Sequence, residues 1–173
     1  GIRDCACLVG SEMCIRDRCN YAELDQLDSI IRNLLTHEIT HLLIGHRYPA
    51  ADAALESTDY LRRLDAYTFH EGFAHLLSYQ ATEIDCVDWH TPQLTEVAAA
   101  SRAKLRLALT ETDPDRQKQF LEEAVCGSYY EKFACMCGML YLADRWETQG
   151  IDGLQSAFAD YHGFAQRALS IRI

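Results

Sequence analysis

A chain of 173 residues, 49% of them apolar, is sized for one domain with a core of its own and is not composed like a disordered protein. Its 16 basic residues against 26 acidic ones give a formal charge of -10, with no Lys/Arg cluster beyond Arg62 and Arg63, which points away from nucleic acid and anionic membranes as partners. No run of about 18 apolar residues occurs, so no membrane span is expected in the chain.

The first 19 residues, "GIRDCACLVGSEMCIRDRC", hold Cys5, Cys7, Cys14 and Cys19, half of the eight cysteines. They repeat "IRD" and show neither helical nor strand periodicity. The string "SEMCIRDR" resembles translated sequencing-adapter read-through, so residues 1–19 are expected to be a non-native or disordered arm. Residues 20–173 are then expected to be the domain proper and, if upstream sequence was replaced, a fragment. The competing reading, a metal-binding cysteine arm, fits no zinc-knuckle spacing. Of the remaining thiols, Cys135 and Cys137 flank Met136 in an apolar helical run and read as small buried side chains.

Over residues 24–45 the apolar positions Leu27, Ile30, Ile31, Leu34, Leu35, Ile39, Leu42 and Leu43 recur at three and four, which predicts an amphipathic helix. Asp28 or an earlier polar residue is its expected cap and Gly45 its stop. "HRYPAADAALEST" follows as a loop around Pro49, then a helical stretch near 58–66. A second strong helix is predicted over 67–81, "YTFHEGFAHLLSYQA", with Phe69, Phe73, Leu76 and Leu77 on its buried side. "DCVDWHTP" breaks the pattern, and Pro92 opens another helix. Further helices are predicted over 93–110, 114–125, 129–148 and 153–169, separated by Asp, Thr, Gly and Pro114 in capping and turn positions. No segment alternates in the manner of a strand, so the visible chain is expected to be mainly α, and any β-sheet portion is expected to lie upstream of it.

His37-Glu38-Ile39-Thr40-His41 fits H-E-x-x-H. Residues four apart on a helix lie about 40° from eclipsing, so both imidazoles reach one zinc ion while Glu38 stands beside it to deprotonate water. Water with a pKa near 15.7 is a poor nucleophile at neutral pH, and zinc lowers that value to about 7. The bland alternative is a helix whose histidines face solvent or sit in a core without metal. Against it, the helix is apolar at most other positions, so the polar atoms of these side chains need a partner. His46 lies about 140° around the helix from His41 and points elsewhere. Ile44 and Arg47 stand where metzincins need Gly and His, which removes that class.

A catalytic zinc takes three protein ligands and keeps one position open. The segment Glu71-Gly72-Phe73-Ala74 resembles the N-E-G-F-A segment carrying the third ligand in gluzincin peptidases of the aminopeptidase N and leukotriene-hydrolase type. The resemblance implies one Zn2+ per chain held by His37, His41 and Glu71, Glu38 as general base, and a peptide or protein substrate. It also implies that the chain is the helical part of a thermolysin-like catalytic domain. His70 replaces the family's Asn, and 29 residues separate His41 from Glu71, more than the family's usual spacing. "HEGFAH" is one residue too long for a second H-E-x-x-H. His75, four residues after Glu71, and His70 beside it are therefore expected to contact a ligand or substrate, not the metal.

Residues 129–161 resemble the same family's Y-E-K-G helix, apolar run and Gly-bounded turn, with Phe133 in place of the glycine. The resemblance maps the tyrosine that donates a hydrogen bond to the reaction's oxyanion onto Tyr130, with Tyr129 as the fallback. The bland reading of Tyr130 is an aromatic at a helix boundary. The G-x-M-E-N segment that holds a substrate's free amine has no counterpart, so exopeptidase activity is not implied. Two other classes compete. A di-iron carboxylate bundle would use Glu38 and His41 as one E-x-x-H pair, but Ala74 and Ala134 stand where a second histidine is needed. A non-catalytic metal-binding relative would have no need of Glu38.

Overall fold

The computed structural model describes residues 24–171; the expected arm at 1–19, with its four cysteines, lies outside them. The described chain is mainly α, and no strand occurs among these residues. Helix α1 spans Leu24–Arg47, α2 Pro49–Ala54, α3 Tyr60–Ser78, α4 Pro92–Thr110, α5 Pro114–Val125, α6 Phe133–Phe158 and α7 Phe164–Ala168. Single 3-10 turns lie at Tyr79–Ala81, Ile84–Cys86 and Tyr129–Glu131.

The core is built on α3 and α6. In α6, residues 133–144 are buried without interruption, covering every side of the helix, which is what an all-apolar run demands. The two helices cross at Gly72 and Gly138. A Cβ on Gly72 would stand 2.8 Å from the Gly138 Cα, and one on Gly138 would stand 2.2 Å from the Thr68 carbonyl oxygen. Only glycine at both positions permits this backbone-to-backbone approach. The crossing brings Cys135 beneath the residue before Gly72, with Sγ 3.8 Å from Glu71 Oε2. Cys135 and Cys137 are both fully buried, as their apolar surroundings predict, and burial pushes the Cys137 thiol up to about 12.

Helix α1 packs on α3, α4 and α5 flank α6, and α7 closes the end of the α3/α6 pair. The Asp65 carboxylate of α3 accepts from the N–H groups of Gly163 and Ala165 at 2.7 and 3.0 Å, fastening α7 in place. No described helix is long and apolar enough to cross a membrane.

Helices α4 and α5 lie where the sequence predicts them, because each start is over-determined. Thr91 and Asp113 accept from backbone N–H groups at 3.3 and 2.9 Å, and each is followed by a proline at the first helical position.

Elsewhere the structure differs. The loop expected at 46–58 contains α2, whose Pro49 presets the first helical φ and whose Ala51 and Ala54 are wholly buried. The stretches 58–66 and 67–81 are one helix, α3, capped by the Asp59 side chain and ended where Gln80 and Ala81 take positive φ of 53° and 52°. Gly45 does not stop α1, and Asp28 does not cap it; Asp28 is internal and pairs with Arg32 at 2.7 Å. Helix α6 begins only at Phe133 and runs past the expected stop, broken at Gly150, whose φ of 58° and ψ of -143° suit glycine. Leu77, expected on the buried side of α3, is 42% exposed because the helix turns it away from α6.

The largest departure concerns α1. Ile31, Leu35, Ile39, Leu42 and Leu43 are 48 to 73% exposed, and Ile44 is the one buried aliphatic residue among the described side chains of the helix. The face turned to α3 carries the histidines instead.

Candidate metal centre

Helix α1 directs His37 and His41 at α3, and α3 returns Glu71. The two Nε2 atoms are 3.1 Å apart. Glu71 Oε2 lies 3.6 Å from His37 Nε2, and Oε1 lies 3.5 Å from His41 Nε2. Two ligand atoms each about 2.1 Å from one zinc ion at the tetrahedral angle stand about 3.4 Å apart, so these spacings would fit a three-ligand zinc site. The three side chains are a group able to hold a metal ion among the described residues.

The charges fit as well. Burial pushes His37 down to about 3, and although Glu71 pulls the other way, His75, His41 and Lys132 add to the fall. Burial on its own would raise the Glu71 carboxyl. The hydrogen bond from His75 and the fields of His41, His75 and His37 override it and hold the group well below the usual carboxylate range. A neutral imidazole beside an ionised carboxylate is the protonation pattern that metal binding requires.

A second group, Glu71, His75 and Cys135, shares the same carboxylate. His75 Nδ1 donates to the Glu71 backbone oxygen at 2.9 Å and lies 3.4 Å from Oε2, so this nitrogen is committed to a proton. His37, His41 and Glu71 are the group that could hold a metal ion without drawing on that nitrogen. His75 holds Glu71 from behind and meets the His37 ring edge to face at 4.8 Å.

Glu38, one residue on from His37, is exposed. Tyr130 does not lie in a regular helix but in the 3-10 turn before α6, which a Ser128/Glu131 capping box fixes. Its hydroxyl is 3.3 Å from that of Tyr79, and its ring packs on Tyr129. Tyr129 in turn lies against His75, with ring centroids 5.4 Å apart. Phe133, in the place of the family's glycine, is buried against Phe120 and under Lys104. His46 is exposed near the end of α1. His70 is buried at 1% exposure beside His41, with ring centroids 5.9 Å apart and planes 19° off parallel. Burial pushes it down to about 4, and His41 adds to the fall while Asp52 and Glu71 oppose it.

Sequence reasoning missed Gly138, Tyr79 and the contact of Cys135 with Glu71. One signal was present. Gly inside a strong helical pattern costs about 1 kcal/mol against Ala, so Gly72 and Gly138 each marked a close approach. Comparison of the chain with models of known families, with curated proteins and with solved structures gave no match.

Proposed function

We propose that the protein is a zinc-dependent peptidase of the gluzincin type. The observation that carries this reading is the convergence of His37 Nε2, His41 Nε2 and the Glu71 carboxylate from two helices, with Glu38 exposed one residue on from His37. Two imidazoles and one carboxylate are the ligand set of several catalytic zinc sites. A di-iron bundle draws on four carboxylates, whereas Glu71 is the only one in this donor set.

His37, His41 and Glu71 would hold the ion. A zinc ion so held supplies Lewis acidity, making water a usable nucleophile near neutral pH and polarising the substrate carbonyl. Glu38 takes the proton of the attacking water and returns it to the leaving amine, a role open to an exposed carboxylate that ligates nothing. His75, with Nδ1 3.4 Å from Glu71 Oε2, helps hold the carboxylate in place. Tyr130 is the proposed donor to the developing oxyanion, and the Tyr79 hydroxyl beside it holds the phenol in place.

Glu38→Gln tests the reading. The variant is expected to keep wild-type zinc content and lose peptide hydrolysis by at least 100-fold. An unchanged rate in a peptide-cleavage assay would remove Glu38 from the chemistry and with it the proposed mechanism.

A further inference from the structure

The second half of α6 borders a cavity that the metal centre does not use. Its volume is about 240 Å3, and Tyr141, Asp144 and Arg145 of α6, Arg167 of α7 and the exposed Ser170 beyond it form part of its wall. Asp144 stands nine residues beyond Cys135 on one unbroken stretch of helix. The cavity therefore lies about 13 Å along the axis from the contact of Cys135 with Glu71.

Asp144 is buried at 8% exposure, yet its carboxylate has no hydrogen-bond or ion-pair partner among the described residues. Only its backbone oxygen is engaged, by the Thr148 hydroxyl at 2.7 Å. A buried carboxylate left so is strongly unfavourable, which calls for a partner. The carboxylate oxygens remain open to the cavity, since the sealed atoms without a partner among the described residues belong to His70 and Arg145. The Tyr141 hydroxyl is likewise unpartnered and open, and its ring is held edge to face on Phe164 at 5.4 Å.

The opposite charge stands in the same wall. Arg167 is held rigid: Nη1 donates to the His162 carbonyl oxygen at 2.6 Å, Nη2 donates to that of Asp160, and the guanidinium lies over the Phe164 ring at 5.4 Å. Arg145 donates to the side-chain oxygen of Gln149. Neither guanidinium is ion-paired, because the Arg and Lys ion pairs of the described residues involve Arg32, Lys104 and Arg116 alone. A plain anion in this cavity meets Asp144, and a plain cation meets two guanidiniums. A small molecule carrying both charges satisfies both. At about 30 Å3 for each water-sized group the volume holds about eight non-hydrogen atoms, the size of a small amino acid.

We propose that this cavity binds a free α-amino acid, its carboxylate on Arg145 and Arg167 and its ammonium on Asp144, with the Tyr141 hydroxyl as a further hydrogen-bond partner. The inference stands apart from the zinc reading, because none of the three candidate zinc ligands lines the cavity.

The experiment is isothermal titration calorimetry of the full chain with aspartate and with succinate, which keeps two carboxylates and lacks the ammonium. Aspartate is expected to bind one per chain at millimolar concentration or below, and succinate at least about 10-fold more weakly. Asp144→Asn is expected to weaken aspartate at least about 10-fold while succinate binds as before or more tightly. Its ligand-free melting temperature is expected to be unchanged or higher, since an unpaired buried charge is removed. Arg145→Gln is expected to weaken both ligands, and it carries the test if Asp144→Asn does not fold. Each titration is run with zinc and after chelation, and binding is expected in both. Aspartate that does not bind by about 10 mM, that binds only with zinc present, or that succinate matches within about twofold overturns the inference. So does an equal loss of both ligands in Asp144→Asn, or unchanged binding in Arg145→Gln.

Discussion

Glu71 does more than any other residue of the cluster. It meets three histidines and a thiol at once, and it does so as an anion in a buried place because those imidazoles surround it. The motif residues were legible in the sequence because spacing on a single helix is local information. His37 and His41 need only the period of α1, and Glu71 needs only the resemblance of its own segment. Helix α2 was not legible, because its 6 residues are too few to show periodicity. The buried histidines also set a pH dependence. His37 and His70 titrate near 6.5 when unfolded but near 3 and 4 when folded, so the unfolded chain binds more protons between those values. Stability therefore rises with pH across that window. The depressed Glu71 acts in the same direction, while Asp65, raised mainly by burial, opposes it. The metal-free protein is expected to melt at its highest temperature above pH 6.5 and progressively lower as the pH falls toward 4; a flat profile by circular dichroism would show that the histidines are not buried as described.

At the level of elements, the site depends on how closely α3 and α6 approach. Glu71 is placed by the crossing at Gly72 and Gly138, so a methyl group there must push the helices apart. Gly138→Ala is expected to cost about 3 kcal/mol in chemical denaturation, at the upper end for overpacked cores. A cost under about 0.5 kcal/mol would mean that the helices are not in backbone contact. Helix α1 supplies a complementary contrast. Hydrophobic periodicity identifies the buried face of a helix only when one face is apolar, and α1 has aliphatic residues nearly all round. The α1/α3 contact buries Ile44 and the histidine face, while Leu42 is 73% exposed. Ile44→Ala is therefore expected to cost about 2–4 kcal/mol and Leu42→Ala less than about 0.5 kcal/mol. Equal costs in urea unfolding would show that α1 packs on its other face.

For the molecule as a whole, the mainly α class was legible from the lack of any alternating segment, and the order of helices from caps and prolines. Which helices touch was not, since that depends on close contacts between residues as distant as Gly72 and Gly138. The candidate site is a product of that assembly: its three candidate ligands come from α1 and α3, and Cys135 of α6 lies against Glu71. Anomalous diffraction at the zinc edge from crystals grown with zinc tests the account most directly. It is expected to give one peak per chain, about 2 Å from His37 Nε2, His41 Nε2 and a Glu71 carboxylate oxygen. No peak at that point, or two peaks sharing Glu71, would contradict it.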